Sequence, residues 1–266
     1  MKLLTTISLS LIAASLVSFA QSAARSHQDR REKFTQLEKT ISRSGEHVSD
    51  TIHDPGQVRA VRSALRDLVA QELKDGLKDS HPNEHALTDA IKTLQGENAP
   101  SEAAGNTVFV KIFTLGGVKT VAIAYDLFEG GLGIPDNHPY IEFYSRRDAE
   151  WRLTAQAPTE KDFEGCTFFI TPIKAQVRDE MWFLVSGFRF GDTGTRLKVR
   201  LYSYDGASVR TVWQRSNLTA GEVSVSNNVI TLEFDRKYHS ADSNNRVHEE
   251  FQVVPDGLQC ITPECE

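Results

Sequence analysis

Cysteine is scarce in this chain. Three occur in 266 residues, at positions 166, 260 and 265, and no two form a C-x-x-C pair. A zinc ribbon or dithiol redox centre therefore has no basis in the sequence. Beyond residue 20 there is no long apolar run, so no later segment reads as a membrane span. Basic charge is in deficit, with 30 Lys and Arg against 36 Asp and Glu and a formal net charge of −6. Such a balance disfavours the phosphate backbone as a partner, and no nucleic-acid partner is expected. No G-x-S-x-G elbow is present, and no catalytic residue is assigned.

Two short motifs carry little. Gly130-Gly-Leu-Gly133 lies between two strand-like stretches. A dinucleotide loop needs a strand before it and a helix after it, so no cofactor is expected. His81-Pro-Asn-Glu-His85 matches the H-x-x-E-H zinc-peptidase pattern. Pro82 favours the first turn of a helix, which puts His81 at or before its start, so the two rings need not share a face. No metal is expected there.

The first 24 residues read as an export leader. Lys2 is the only charge before Arg25, and residues 3–20 are apolar with scattered Ser and Thr. Ser18-Phe-Ala20 and Ser22-Ala-Ala24 offer small residues for cleavage before Gln21 or Arg25. The expectation is a periplasmic or extracellular protein with no membrane span after cleavage. No Cys adjoins the cleavage region, so a lipid anchor is not indicated.

Residues 25–95 read as helical. Phe34, Leu37 and Ile41 mark one face of a first helix. Val58, Val61, Leu65, Leu68, Val69, Leu73 and Leu77 follow helical spacing in a second. A third starts near Pro82 and carries Leu87, Ile91 and Leu94. Residues 96–106 form a linker by composition.

Residues 107–254 read as antiparallel β, giving an α+β chain whose helices precede a β-meander. The strand signals fall into two and a half four-stranded copies. Val108–Phe113, Val121–Tyr125, Ile141–Ser145 and Glu150–Leu153 make the first. Thr167–Ile170, Met181–Val185, Val199–Ser203 and Val209–Trp213 make the second. Val223–Val225, Val229–Phe234 and Val247–Val253 make a partial third. Tyr144-Ser145 matches Tyr202-Ser203, and Trp151 matches Trp213 in role. The stretch Leu201-Tyr-Ser-Tyr-Asp-Gly206 with Val212-Trp213 resembles the blade repeats of secreted β-propeller-like proteins. That resemblance implies a binding scaffold and no catalytic residue. Two and a half blades cannot close a ring, so it leaves an open propeller fragment or a sandwich.

The remaining expectations concern sites. In residues 255–266, Cys260 and Cys265 are the first choice for a disulfide, with a link to Cys166 as the second. Trp151, Trp182 and Trp213 read as core or as a carbohydrate-stacking face. If every copy holds four strands, the longer connections at 129–139, 191–196 and 236–246 share one rim. A ligand is then expected near Asp136, His138 and Asp192. The functional expectation is an exported binding or interaction module with an unknown protein or glycan partner. The alternatives are an envelope hydrolase acting on glycan or peptide, and a structural envelope protein that docks through its helices.

Overall fold

The computed structural model describes residues 25–40, 55–78, 82–96, 108–129, 136–148, 150–159, 163, 167–174, 179–191, 194–236, 245–263 and 265. The leader, most of the linker, His81, Cys166 and Asp192 lie outside these residues, and so do the readings that rest on them.

Three helices form where the apolar stripes place them. They are α1 (residues 25–40), α2 (Pro55–Gly76) and α3 (Glu84–Gln95). Pro55 opens α2, where its missing N–H costs nothing. Asn83 rather than Pro82 caps α3, its Oδ1 accepting from the N–H groups of His85 at 2.8 Å and Ala86 at 3.1 Å. The stripe Leu65, Leu68, Val69, Leu73 and Leu77 is buried, with Phe34 of α1 and Leu87, Ile91 and Leu94 of α3 packed around it. Arg30 fastens α1 to α2 by ion pairs of 2.8 Å to both Glu72 and Asp75.

The first β copy is a separate four-stranded sheet in sequence order: β1 (Phe109–Leu115), β2 (Val118–Glu129), β3 (Asp136–Arg147) and β4 (Glu150–Gln156). Gly116 and Gly117, at φ 54° and 78°, make the two-residue turn that joins β1 to β2. The apolar run Val121-Ala-Ile-Ala-Tyr125 has no polar face because both its faces are covered. Val121, Ile123 and Tyr125 meet the helices, whereas Ala122 and Ala124 meet a second sheet.

That second sheet is a seven-stranded antiparallel meander. It contains β5 (Thr167–Ile173), β6 (Met181–Gly191), β7 (Gly194–Tyr204), β8 (Val209–Ser226), β9 (Val229–Asp235), β10 (Arg246–Val254) and β11 (Gly257–Cys260). Phe168, Phe183, Val185, Tyr202 and Tyr204 pack on Ala122, Ile141 and Phe143 of the first sheet. The opposite face closes on itself. Trp182, Leu184, Val199 and Leu201 share a core with Ile230, Leu232, Phe251 and Val253. The chain is thus α+β, layered as helices, first sheet and coiled second sheet.

Three expectations are corrected. Val209–Trp213 and Val223–Val225 are not two strands but parts of one, β8. The break that separates them in sequence is a bulge, with Asn217 and Ala220 at positive φ and a register shift between Thr219 and Glu222, and the direction does not reverse. The supposed tail contributes β11, which pairs with β10. Trp151 and Trp213 do not match in role. Trp151 packs with the helix layer, whereas Trp213 lies in the far core against Phe251, their ring centroids 4.8 Å apart. The bulge positions explain the flip. On β8 the extra residue, Val212, falls before the tryptophan; on β4 it falls after.

Cys260 and Cys265 form the disulfide, their Cα atoms 6.1 Å apart. It follows β11 directly, where Ile261 N–H also donates to Glu250 O at 2.9 Å.

Gly221 makes the β8 bend possible. A Cβ there would lie 2.7 Å from Leu197 Cβ, a contact with the root of a side chain that cannot swing away. Gly221→Ala should cost about 1–3 kcal/mol, as overpacked core sites do. Urea denaturation checks this, and an unchanged midpoint would mean that β8 can straighten without penalty.

Candidate functional site

Polar groups gather where α2 crosses the first sheet. Arg62 and Arg66 stand one helical turn apart, so they share a face. Alternate residues of β3 point at them: His138, Tyr140, Glu142 and Tyr144. Glu142 is the hub. Its Oε1 accepts from Arg66 Nη2 at 2.7 Å and from Gln156 Nε2 at 2.8 Å, and its Oε2 accepts from the Tyr144 hydroxyl at 2.8 Å. Arg66 also covers the Tyr140 ring at 4.7 Å, and Tyr140 stacks on Tyr125.

Arg62 Nη2 lies 2.7 Å from His138 Nε2. A guanidinium can only donate, so Nε2 is the acceptor in this contact. The electrostatics favour a closed, charged pair inside an apolar shell. Burial, then the Glu142 carboxylate, holds the Tyr125 and Tyr144 hydroxyls well above the usual phenol range. Burial works against the charge on Arg66, but Tyr125 and Glu142 more than offset it. The helix layer is pinned at further points. Gln95 Nε2 donates to Asp126 O at 2.7 Å, and Trp151 Nε1 donates to Leu77 O at 3.1 Å.

Asp126 sits apart. It alternates with Tyr125 on β2, so its side chain takes the inter-sheet face with Ala122 and Ala124. It is buried, and neither carboxylate oxygen has a well-formed hydrogen bond among the described residues. Burial pushes this carboxyl well above the usual range, and the His138 backbone N–H opposes that only in part. Asp126 and Glu142 therefore lie on opposite faces of one sheet and do not converge.

The residues singled out by loop position fare differently. His138 is buried under α2 and bonded to Arg62. Asp136 opens β3 opposite Glu129. Asp192 lies in the β6–β7 connection, outside the described residues. His85 is solvent-exposed beside Asp89 on the first turn of α3.

The single rim survives only for the first two connections. Thr159 Oγ1 donates to Pro139 O, Phe163 N–H donates to Thr159 O, and Lys198 covers the Phe163 ring. Ser145 Oγ meets the Tyr204 hydroxyl at 3.2 Å. So β3 and β7 run the same way across the stack, and the connections that precede them leave at one end. Three strands separate the β6–β7 connection from β9–β10, so these two leave in opposite directions. They still converge in level, because Arg196 and Asp235 both pair with Thr219 at the β8 bulge.

Sequence reasoning passed over Arg62, Arg66 and Glu142. The signal was there: a lone acid inside the apolar strand Ile141-Glu-Phe-Tyr-Ser145, and two arginines flanking Leu65 four residues apart. A shallow groove of about 720 Å³ elsewhere follows α1, lined by His27, Arg31, Glu32, Lys39 and Thr93. No protein-family model matches the chain, and no curated protein matches it either.

Proposed function

We propose that this chain is an exported binding or interaction module whose ligand meets the end of the stack where β3 and β7 begin. One observation supports the reading: β3, which opens at Asp136, and β7, which opens at Gly194, begin at the same end of the two stacked sheets. Export is supported by the Cys260–Cys265 disulfide, and among the described residues no helix is long and apolar enough to cross a membrane. Docking through bare helices is disfavoured because the described apolar stripes are buried in the chain's own core. A glycan hydrolase needs two carboxyl groups flanking one cleft, and Asp126 and Glu142 face away from each other.

Binding to a panel of envelope glycans tests this. Asp136→Ala with Asp192→Ala should weaken retention at least tenfold while folding stability stays within about 0.5 kcal/mol. Release of shortened saccharides would replace the module by a hydrolase. Retention unaffected by the double variant would remove the site.

A further inference from the structure

The helix layer holds a groove that neither the polar seam nor the ligand end uses. It measures about 720 Å³, within the roughly 300–1,000 Å³ of small-molecule sites. Successive turns of α1 line it, and Thr93 of α3 adds to the wall. The charge of α1 runs against that of the chain. Residues 25–40 hold five Lys and Arg against three Asp and Glu, whereas the whole chain has a formal net charge of −6. Those cations are not equivalent. Arg30 is committed to Glu72 and Asp75, and His27 is bonded to Glu72 at 2.8 Å. Arg25 and Lys33 are exposed and do not line the groove. Arg31 and Lys39 do line it, and among the described residues neither has an acid or other acceptor as its partner. Arg31 is also held in place. It crosses to the end of α3, where its Nε lies 3.8 Å from the position that a Cβ on Gly96 would take. The partial negative charge at a helix C-terminus favours a cation there.

We infer that this groove binds an acidic saccharide chain, one with carboxylates at intervals and free hydroxyls between them. Arg31, Thr35 and Lys39 follow one another at four-residue steps, so the two cations are rooted about 12 Å apart along the helix with a hydroxyl between them. Cations at that spacing answer carboxylates at intervals, and Thr35 and Thr93 answer sugar hydroxyls. Glu32 also lines the groove, where its Oε1 accepts from Gln28 Nε2 at 3.0 Å. A carboxylate has further lone pairs, so it can accept from a sugar hydroxyl as well. The same carboxylate, with the acidic balance of the rest of the chain, opposes a densely charged polyanion such as nucleic acid. A concave wall suits a chain rather than the flat surface of a bilayer. The groove shares no residue with the ligand end proposed above, and its test stands alone.

Isothermal titration calorimetry of the purified chain with a short oligogalacturonate reads the result. The oligogalacturonate should bind in about 0.01 M salt and weaken towards about 1 M, as the screening length falls from about 30 to 3 Å. A neutral oligogalactose should not bind. Arg31→Gln with Lys39→Gln should weaken the oligogalacturonate about tenfold or more at an unchanged Tm, because each lost contact is a charge-assisted hydrogen bond. Arg25→Gln with Lys33→Gln removes the same charge from the same helix outside the groove, and should leave the affinity nearly unchanged. Asp136→Ala with Asp192→Ala should leave it unchanged too, which separates this groove from the ligand end. No saturable binding at low salt would overturn the inference. Equal losses in the two double glutamine variants would overturn it by reducing the effect to bulk charge. Tighter binding to vesicles of anionic phospholipid, lost in the Arg31→Gln, Lys39→Gln variant, would overturn it by making the groove part of a membrane-facing surface.

Discussion

Glu142→Leu should cost about 3–5 kcal/mol of folding stability, the loss expected when one partner of a buried ion pair is removed. The reason lies in what stays behind. Arg66 would be left with its guanidinium over the Tyr140 ring and no counter-charge beneath α2, while Gln156 and Tyr144 lose their common acceptor. Arg66 is partly open to solvent, which lets it swing out and places the expected loss at the lower end. Arg66→Leu with Glu142→Leu should recover most of it, because two apolar side chains of similar reach restore the helix–sheet contact without a stranded charge. Chemical denaturation of the two single variants and the double variant closes the cycle. Additive losses would show that the two side chains act independently, and the pair would then not be what seats α2.

The helix layer was legible because its information is local. Leu65, Leu68, Val69, Leu73 and Leu77 fall on one stripe whatever lies beneath, and all five are buried. The strands were legible for the same reason, and their grouping into a first sheet of four matches the first copy. What escaped was anything set by a single-residue offset. The β8 bulge reads in sequence as a turn, since Asn217 and Gly221 are turn residues, and only the pairing of β8 with both β7 and β9 reveals a continuous strand. A second offset, the extra residue Val212, sent Trp213 to the face opposite that of Trp151, and the continuity of β8 through residues 217–221 reversed the third long connection.

The match of Tyr144-Ser145 with Tyr202-Ser203 has a physical counterpart. Each tyrosine faces the layer that precedes its sheet, and each serine points to the opposite face. The polar seam was harder to see, because Arg62 and Arg66 reach His138 and Glu142 across 76 residues, a separation on which no local pattern bears.

Asp126→Asn should remove a pH dependence from the fold. The Asp126 carboxyl is raised well above its usual range by burial, so the folded chain keeps a proton where the unfolded chain has lost it. The sign follows. Its contribution to stability is fully present below the unfolded value of about 3.9 and is lost as pH rises through the higher folded value. Over that interval the Asp126 contribution should fall by about 1.4 kcal/mol per pH unit, whereas asparagine, neutral throughout, adds no slope of its own. The two proteins should therefore draw apart as pH rises from about 4, with the variant gaining relative to the wild type. The carboxylates held below their usual range, Asp75, Glu180 and Asp205, are common to both proteins, so the difference between the profiles belongs to Asp126. Urea midpoints at pH 4, 5.5, 7 and 8 provide the measurement. Parallel profiles would mean that the carboxyl ionises inside the fold and has found a donor there, and the inter-sheet layer would then be less dry than its lining of Ala122, Ala124, Ile141 and Phe143 implies.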